Sequence, residues 1–384
     1  MSIFGRRQVL LGGAGVVAAT AGGAAIWKGA TGSMADYRRY SESLRTAPVP
    51  RPAISELIRC ATLAANNHNV QPWRFYADDE AGIRILPDLA RRLSVVNPDN
   101  HHLFISLGCA AENLCIAARA KGWSCETIPD PQGGLQIRLS EAAAEAEPLF
   151  DALLRRQSMR TLYDGKLPPT RDLDALTLSG ARPGVRLILM TDRMQILRLR
   201  DLTVEANSAQ IADPAFVAEL RTWMRFNPRA AMEMGDGLFS PTTGNPILPD
   251  WVGLRMFDLL FTARTENDKL SRQIDSSARV VVFVGDAESP RSWIEVGRAC
   301  QRFLLTITHL GLKCAFINQA VETPRLRTEL AALVGEPGKR PTSSCDVAMV
   351  QRCLMRRAGP SPQRLPDPGS SQRYKHLMPS SVVN

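Results

Sequence analysis

The chain has 384 residues, of which 45% are hydrophobic and 22% are charged. This balance excludes a disordered chain, and the length exceeds what one ordinary domain needs. The formal net charge is +9, but the basic residues are spread along the sequence and form no basic stripe with interleaved aromatic residues. We therefore expect no nucleic-acid partner, whereas a basic surface could attract an anionic, phosphate-bearing cofactor.

The eight cysteines and five histidines show no metal-type spacing. No two cysteines form a CxxC pair, so we expect no zinc or iron–sulfur site. Most of the cysteines lie in apolar runs, which favours small buried side chains. The even number permits disulfides in an exported protein, but the sequence selects no pairing.

Residues 1–30 are predicted to be a targeting segment. Arg6 and Arg7 precede 19 uncharged residues, Val9–Trp27, that are rich in Gly and Ala. This pattern resembles a twin-arginine signal, which implies the twin-arginine export machinery as a partner and a periplasmic or cell-envelope location. The alternative is an uncleaved membrane anchor, because a span needs about 20 residues. Five glycines make the run weakly apolar and favour the signal.

Residues 31–52 contain three prolines and are predicted to form a polar linker. The rest of the chain shows signs of an internal repeat. Three landmarks recur 189 residues later in an apolar helical stretch: Gly108 as Gly297, Gly122 as Gly311 and Cys125 as Cys314. We therefore predict two lobes, residues 53–150 and 151–341, whose long helices pack together at the centre.

Strand-like runs flank both predicted helices. They are Trp73–Tyr76, Ile83–Leu86, Val185–Met190 and Val280–Val284. Mixed helices and strands predict an α+β fold with layers of helices around the sheets. The stretch Trp223–Asn267 is rich in Pro, Gly and Met with little periodicity, and we interpret it as a lid-like insertion.

The segment Asn66-Asn67-His68-Asn69-Val70-Gln71-Pro72-Trp73 follows an apolar helix and leads into a strand. It resembles the nitroreductase superfamily segment Pro-Ser-x-x-Asn-x-Gln-Pro-Trp, which lines the flavin across the dimer interface. The resemblance makes Asn66, Asn67, Asn69 and Gln71 candidate flavin-binding residues, and amides suit the ribityl hydroxyls and the ring edge. The alternative is an Asx-rich helix exit. His68 is the one histidine expected near the site, in a structural role.

The segment Arg155-Arg156-Gln157-Ser158-Met159-Arg160 resembles the family's Arg-x-Ser-x-Arg segment, which holds the FMN phosphate. Guanidinium groups suit a dianionic phosphate, so Arg156, Ser158 and Arg160 are candidates. The alternative is a solvated basic helix end. Because each half of the chain has one of these two segments and lacks the other, the resemblance implies a fused pseudo-dimer with one FMN per chain, as a monomer or a homodimer.

The segment Gly311–Gln319 resembles the family's stretch after the central helix, where backbone groups approach flavin N5. It contributes the candidates Ile317, Asn318 and Gln319. Familiar members carry Glu-Gly where this chain has Asn318-Gln319, which weakens the expectation of ordinary turnover. The alternative is a buried strand that leaves a helix.

These segments together resemble the Acg-like group of nitroreductases, in which two lobes are fused and a lid can cover the flavin. The resemblance implies a nitroreductase-like three-layer fold and an FMN-dependent oxidoreductase. NAD(P)H is a candidate donor, and nitroaromatics, quinones or similar small molecules are candidate acceptors. The alternative is a protein that sequesters FMN without efficient turnover. Because the flavin carries the chemistry, we assign no catalytic acid, base or nucleophile.

Residues 342–384 are polar, Pro/Ser-rich and poor in strand signals. The family has a final strand and an Arg-Arg-Pro segment near the phosphate at this place. Codons chosen for Thr342 onward can spell such an ending in a neighbouring frame, so we hypothesise that the tail is a frameshift product. The alternative is an ordinary disordered C-terminus.

Overall fold

The computed structural model describes residues 27–77 and 82–348. Residues 1–26 of the predicted targeting segment and residues 349–384 of the predicted tail lie outside the described residues. The chain divides into a smaller unit, Met1–Leu44 with Leu220–Phe261, and a larger unit, Arg45–Glu219 with Thr262–Asn384. All predicted site residues belong to the larger unit.

The first sheet of the larger unit has four antiparallel strands. In spatial order they are Trp73–Ala77, Gly82–Pro87, Leu135–Glu141 and Trp123–Pro129. Ile83 pairs with Ile137, and both side chains are fully buried in the main core. Two of the predicted strands are therefore confirmed in this sheet.

The second sheet is also antiparallel and has four strands. In spatial order they are Val185–Met190, Arg279–Gly285, Arg340–Ala348 and Lys313–Phe316. The expectation that strand structure ends near residue 341 was wrong, since Arg340–Ala348 lies inside this sheet. Its Thr342, Ser343 and Ser344 are buried, and hydroxyl hydrogen bonds compensate for their polarity.

Two helices of 20 residues form the centre of the larger unit: His101–Ala120 and Pro290–His309. Their bounds differ by 189 residues, the predicted offset. They cross where an added Cβ on Gly108 would lie 2.0 Å from the Ile294 carbonyl oxygen, and one on Gly297 would lie 2.0 Å from that of Ile105. The two isoleucines also differ by 189, so the crossing has approximate twofold symmetry. The predicted central packing is confirmed.

The remaining helices cover the two sheets and the central pair. They are Ile54–Thr62, Phe150–Arg155, Thr170–Ser179, Arg193–Ala212, Pro214–Thr222, Ala263–Ser276, Gln319–Glu322 and Pro324–Leu333, with short 3₁₀ turns at Asn67–Asn69 and Leu89–Arg91. A second core cluster packs Val280, Val282 and Val284 against Ile196 and Leu199. Helices mixed with antiparallel sheets confirm the α+β fold class.

A disulfide joins Cys115 of the first central helix to Cys125 of the strand that follows it, with 5.5 Å between the two Cα atoms. The sequence did not select this pair. Cys60, Cys109, Cys300 and Cys314 are free and buried, as their apolar surroundings predicted.

The smaller unit contains the helices Met34–Leu44, Pro228–Met234 and Asp250–Leu260, the 3₁₀ turn Ser240–Thr243, and a parallel pair of two-residue strands, Met224–Arg225 and Leu238–Phe239. The structure differs here from two expectations. The predicted linker contains a helix whose Tyr37 ring lies 4.4 Å from that of Phe239, and the predicted insertion is largely regular. Its role as a lid stays a prediction.

Candidate functional site

The structure brings the three predicted segments together through backbone and side-chain contacts. The Met159 amide donates to the Cys314 carbonyl at 2.9 Å, which joins the arginine segment to the strand that leads to Ile317. The Arg156 Nη2 donates to the Leu63 carbonyl at 3.4 Å, at the end of the helix before the asparagine segment. The three motifs therefore form one region of the larger unit.

The asparagine segment has an unusual backbone. His68, Asn69 and Gln71 have φ values of +46°, +53° and +52°, a left-handed region in which residues other than Gly, Asn and Asp are rare. Asn66 holds the turn, because its Oδ1 accepts from the Gln71 amide at 2.9 Å. Such strain costs on the order of 1–3 kcal/mol per residue and clusters at functional sites. The asparagine segment is thus more than a helix exit.

The arginine segment offers guanidinium groups that have no carboxylate partner among the described residues. Arg156 Nη1 lies 3.5 Å from the Ser158 Oγ, and its Nε is buried without a hydrogen-bond partner in the described part of the chain. Burial lowers the pKa of Arg156, and the groups that oppose this effect are the thiols of Cys314, Cys109 and Cys300. Buried guanidinium without a counter-charge is costly and suits a bound anion.

The third segment is divided between structure and site. The Ile317 amide donates to the Ser344 carbonyl at 3.1 Å. The Asn318 Oδ1 accepts from the Ser344 amide at 2.8 Å and from the Ser343 hydroxyl at 3.3 Å. Asn318 is thus occupied in holding the last strand, whereas the Gln319 Oε1 is buried and lacks a partner within the described ranges.

Sequence reasoning missed a buried polar cluster beside the asparagine segment. His102 Nδ1 lies 3.1 Å from Asn67 Nδ2 and 3.5 Å from Glu322 Oε1. The expectation that His68 is the one histidine near the site was therefore wrong. The adjacent histidines at the start of the first central helix were a visible signal, but without a motif around them the pattern assigned no role.

Burial dominates the electrostatics of this cluster. It raises the pKa of Glu322 to about 7 and lowers that of His68 to about 4, with help from Arg160 in the second case. Burial also lowers the pKa of His102, reinforced by the neighbouring His101. Both histidines are therefore neutral at pH 7, and Glu322 is close to half-protonated.

A paired group lies next to the cluster. Asp99 accepts from the His101 Nδ1 at 2.6 Å and pairs with Arg340. Burial opposes ionisation of Asp99, but the hydrogen bonds and charges of these two neighbours outweigh it and hold its pKa well below the usual value. Arg340 also pairs with Glu288 at 2.8 Å, so this arginine is not free for an anion.

No protein-family model matches the sequence. Two proteins of Mycobacterium tuberculosis strain H37Rv that carry the assignment NAD(P)H nitroreductase as a name are similar along most of their length. Rv3131 is 24% identical over 298 residues, which cover 75% of this chain and 82% of that protein. Acg is 23% identical over 299 residues, which cover 75% and 87%. The resemblance to Acg-like nitroreductases is confirmed.

Solved structures of nitroreductase type align with about half of this nitroreductase-like chain. An FMN-bound nitroreductase from Bacteroides fragilis aligns at a TM-score of 0.33 and 13% identity, over 58% of this chain and 96% of its own. The nitroreductase NfnB from Mycobacterium smegmatis, in complex with NADPH, aligns at a TM-score of 0.34 and 14% identity, over 53% and 88%.

Proposed function

We propose that the protein is an FMN-dependent oxidoreductase of the nitroreductase type with one FMN per chain. The bound flavin supplies the redox chemistry, since it takes electrons from a donor such as NAD(P)H and passes them through N5 to a nitroaromatic, a quinone or a similar acceptor. The chain's own residues bind and orient the flavin. The named relatives support the activity class, and the site geometry supports the cofactor.

The observation that carries the proposal is the pair Arg156 and Arg160 beside Ser158. Neither guanidinium forms an ion pair among the described residues, and the Arg156 Nε is buried without a partner. A phosphate would supply the missing charge and acceptor oxygens. The unpartnered Gln319 Oε1 could accept a hydrogen bond from the flavin. The residues present therefore fit FMN.

The arrangement of the motifs supports a fused pseudo-dimer built from two nitroreductase-like lobes. The asparagine segment comes from residues 53–150 and the arginine segment from residues 151–341, and contacts within one chain bring both to the same region. The matching helix lengths and the approximate symmetry at Gly108 and Gly297 agree with a duplicated unit. In this proposal the monomer already holds a complete flavin site.

One observation favours the alternative, an FMN-sequestering protein. Asn318 and Gln319 stand where familiar members carry Glu-Gly, and the Asn318 side chain is bound to the last strand. A changed environment near N5 would slow electron transfer without preventing binding. Absence of NAD(P)H oxidation by flavin-loaded protein would favour this alternative.

We also propose that the protein is exported through the twin-arginine route to the periplasm or cell envelope. The Arg6-Arg7 pattern supports the route, and the disulfide between Cys115 and Cys125 agrees with an oxidising compartment. Cell fractionation of the wild type and of an Arg6→Lys, Arg7→Lys double variant tests the proposal. Retention of the variant in the cytoplasm is the expected result, and equal export of both proteins would contradict it.

The experiment that tests the enzymatic proposal begins with the absorbance spectrum of the purified chain. Flavin bands and released FMN at about one per chain would support the fused site. Anaerobic addition of NADH or NADPH then separates the two functions, because an enzyme bleaches at 450 nm on the timescale of turnover and a store does not. A chain that neither contains nor takes up FMN would refute the flavoprotein function.

A further inference from the structure

Glu322 occupies a buried position that connects two predicted flavin-lining segments. It ends the short helix Gln319–Glu322, which begins within the segment predicted to approach flavin N5. The Glu322 side chain is 8% exposed, and its Oε2 accepts from the Gln210 Nε2 at 2.8 Å. The other carboxyl oxygen faces the His102 Nδ1 at 3.5 Å.

His102 continues this connection to the asparagine segment. Its Nδ1 lies 3.1 Å from the Asn67 Nδ2, and Asn67 also forms a hydrogen bond with Glu322. The carboxyl group, the ring and the amide are thus in mutual contact. A change in the charge of Glu322 acts directly on the position of Asn67, a candidate flavin-binding residue.

The surroundings of Glu322 do not neutralise a negative charge well. The nearest cation is Arg327, whose guanidinium donates to the backbone carbonyls of Val321 and Glu322 rather than to the carboxylate. His102 is uncharged, and Glu219 adds a like charge. The other titratable or charged groups around the cluster are His68, Asp99, His101, Glu288 and Arg340.

We propose that Glu322 is a positioning residue for flavin, which holds Asn67 and the helix from Gln319 in the binding arrangement while it is uncharged. The inference rests on the proposed function. A protonated carboxyl group can donate to His102 Nδ1 while it accepts from Gln210. An ionised one leaves an uncompensated buried charge that displaces its neighbours and repels the anionic cofactor.

The proposal predicts that FMN binding weakens as the pH rises through 7. Because the pKa of Glu322 is raised to about 7, the neutral fraction falls roughly tenfold between pH 6 and pH 8, and the dissociation constant rises by the same factor. Glu322→Gln keeps the size and the hydrogen-bonding capacity but cannot ionise. Its dissociation constant should stay at the tight value across this range.

The experiment is a titration of the full chain, stripped of flavin, with FMN at pH 6, 7 and 8, followed by flavin fluorescence. The wild type, Glu322→Gln and the control Glu329→Gln are compared, since Glu329 is exposed on the neighbouring helix. Ionisation of the FMN phosphate affects all three proteins equally. We expect the ratio of the wild-type to the Glu322→Gln dissociation constant to rise about tenfold, and the Glu329→Gln protein to follow the wild type.

A second variant keeps the inference testable should Glu322→Gln fail to fold. Gln210→Met removes a hydrogen bond that lowers the pKa of Glu322, so the midpoint of the pH dependence should move upward. A constant ratio, or an unmoved midpoint in Gln210→Met, would overturn the role of Glu322. Failure of all the proteins to bind FMN at every pH would instead refute the proposed function.

Discussion

Gly108 and Gly297 lie where the two central helices cross, and each brings its helix against an isoleucine carbonyl of the other. A Cβ at either position would lie 2.0 Å from that oxygen, a distance that no relaxed structure tolerates. The helices therefore approach each other through their backbones. The predicted repeat placed both glycines, and the fold uses both in the same way.

Substitution of Gly108 or Gly297 by alanine should force the central helices apart. We expect each change to lower the free energy of unfolding by about 1–3 kcal/mol, even though alanine favours a helix by roughly 1 kcal/mol. Urea unfolding provides the measurement. Gly29→Ala is the control, because a Cβ there meets nothing within 4 Å; equal stability of all three variants would contradict the close crossing.

The buried carboxylate of Glu112 should make stability depend on acid pH. Arg298 Nε and Arg302 Nη1 donate to it at 3.1 and 2.8 Å, and Arg182 lies 3.7 Å away. Burial alone would raise the pKa of Glu112, but the three arginines outweigh it and lower the pKa. The ion network therefore stabilises the fold above the unfolded-state pKa of about 4.3, and this contribution is lost as the pH falls through the lower folded-state pKa.

Glu112→Gln should cost about 3–5 kcal/mol at pH 7, because it leaves buried arginines without a counter-charge. The exposed pair of Arg51 and Glu141 supplies the control, and Glu141→Gln should change stability by less than about 1 kcal/mol. Urea unfolding at pH 7 and pH 3.5 measures both. A loss for Glu112→Gln that is equally small at both pH values would show that the network contributes little.

Arg156→Gln should weaken FMN binding without unfolding the chain. Loss of a hydrogen bond from a charged donor costs about 1.5–3 kcal/mol, which corresponds to a roughly 10- to 150-fold higher dissociation constant. Arg186→Gln, which changes an exposed arginine paired with Glu336, should bind FMN as the wild type does. Equal affinity of both variants, measured by equilibrium dialysis, would remove Arg156 from the phosphate site.

Ser344→Ala should destabilise the second sheet. The Ser344 Oγ donates to the buried Ile317 carbonyl at 2.8 Å, so the change leaves an unsatisfied acceptor that costs on the order of 1–3 kcal/mol. Thr177→Ala is a control, because its hydroxyl bonds within an exposed helix face. Thermal unfolding would show the two variants to be alike if the strand Arg340–Ala348 were not part of the folded sheet.

The origin of residues 342–384 stays a hypothesis. The strand Arg340–Ala348 shows that the printed sequence still completes the second sheet as far as Ala348. Determination of the gene sequence tests the frameshift itself. A single-base shift near the codon for Thr342 should recover an Arg-Arg-Pro ending, and its absence in both neighbouring frames would discard the hypothesis.

The sequence by itself determined the features that depend on local chemistry. The β-branched run Val280–Val284 predicted a central strand, since such side chains pack well on a pleated, buried surface. Landmarks at a constant offset predicted two matching helices. The asparagine and arginine segments located the candidate site, because their residue types and spacing are legible without any knowledge of distant contacts.

The tertiary structure decided what depends on partners far away in the chain. Thr342–Ser344 have no apolar alternation, and they are buried only because distant groups satisfy their hydroxyls. The same holds for Glu322 and His102, whose proximity across more than 200 residues creates a buried polar cluster that no local pattern announces. Burial sets the charge state of such groups, and burial is a property of the whole fold rather than of any segment.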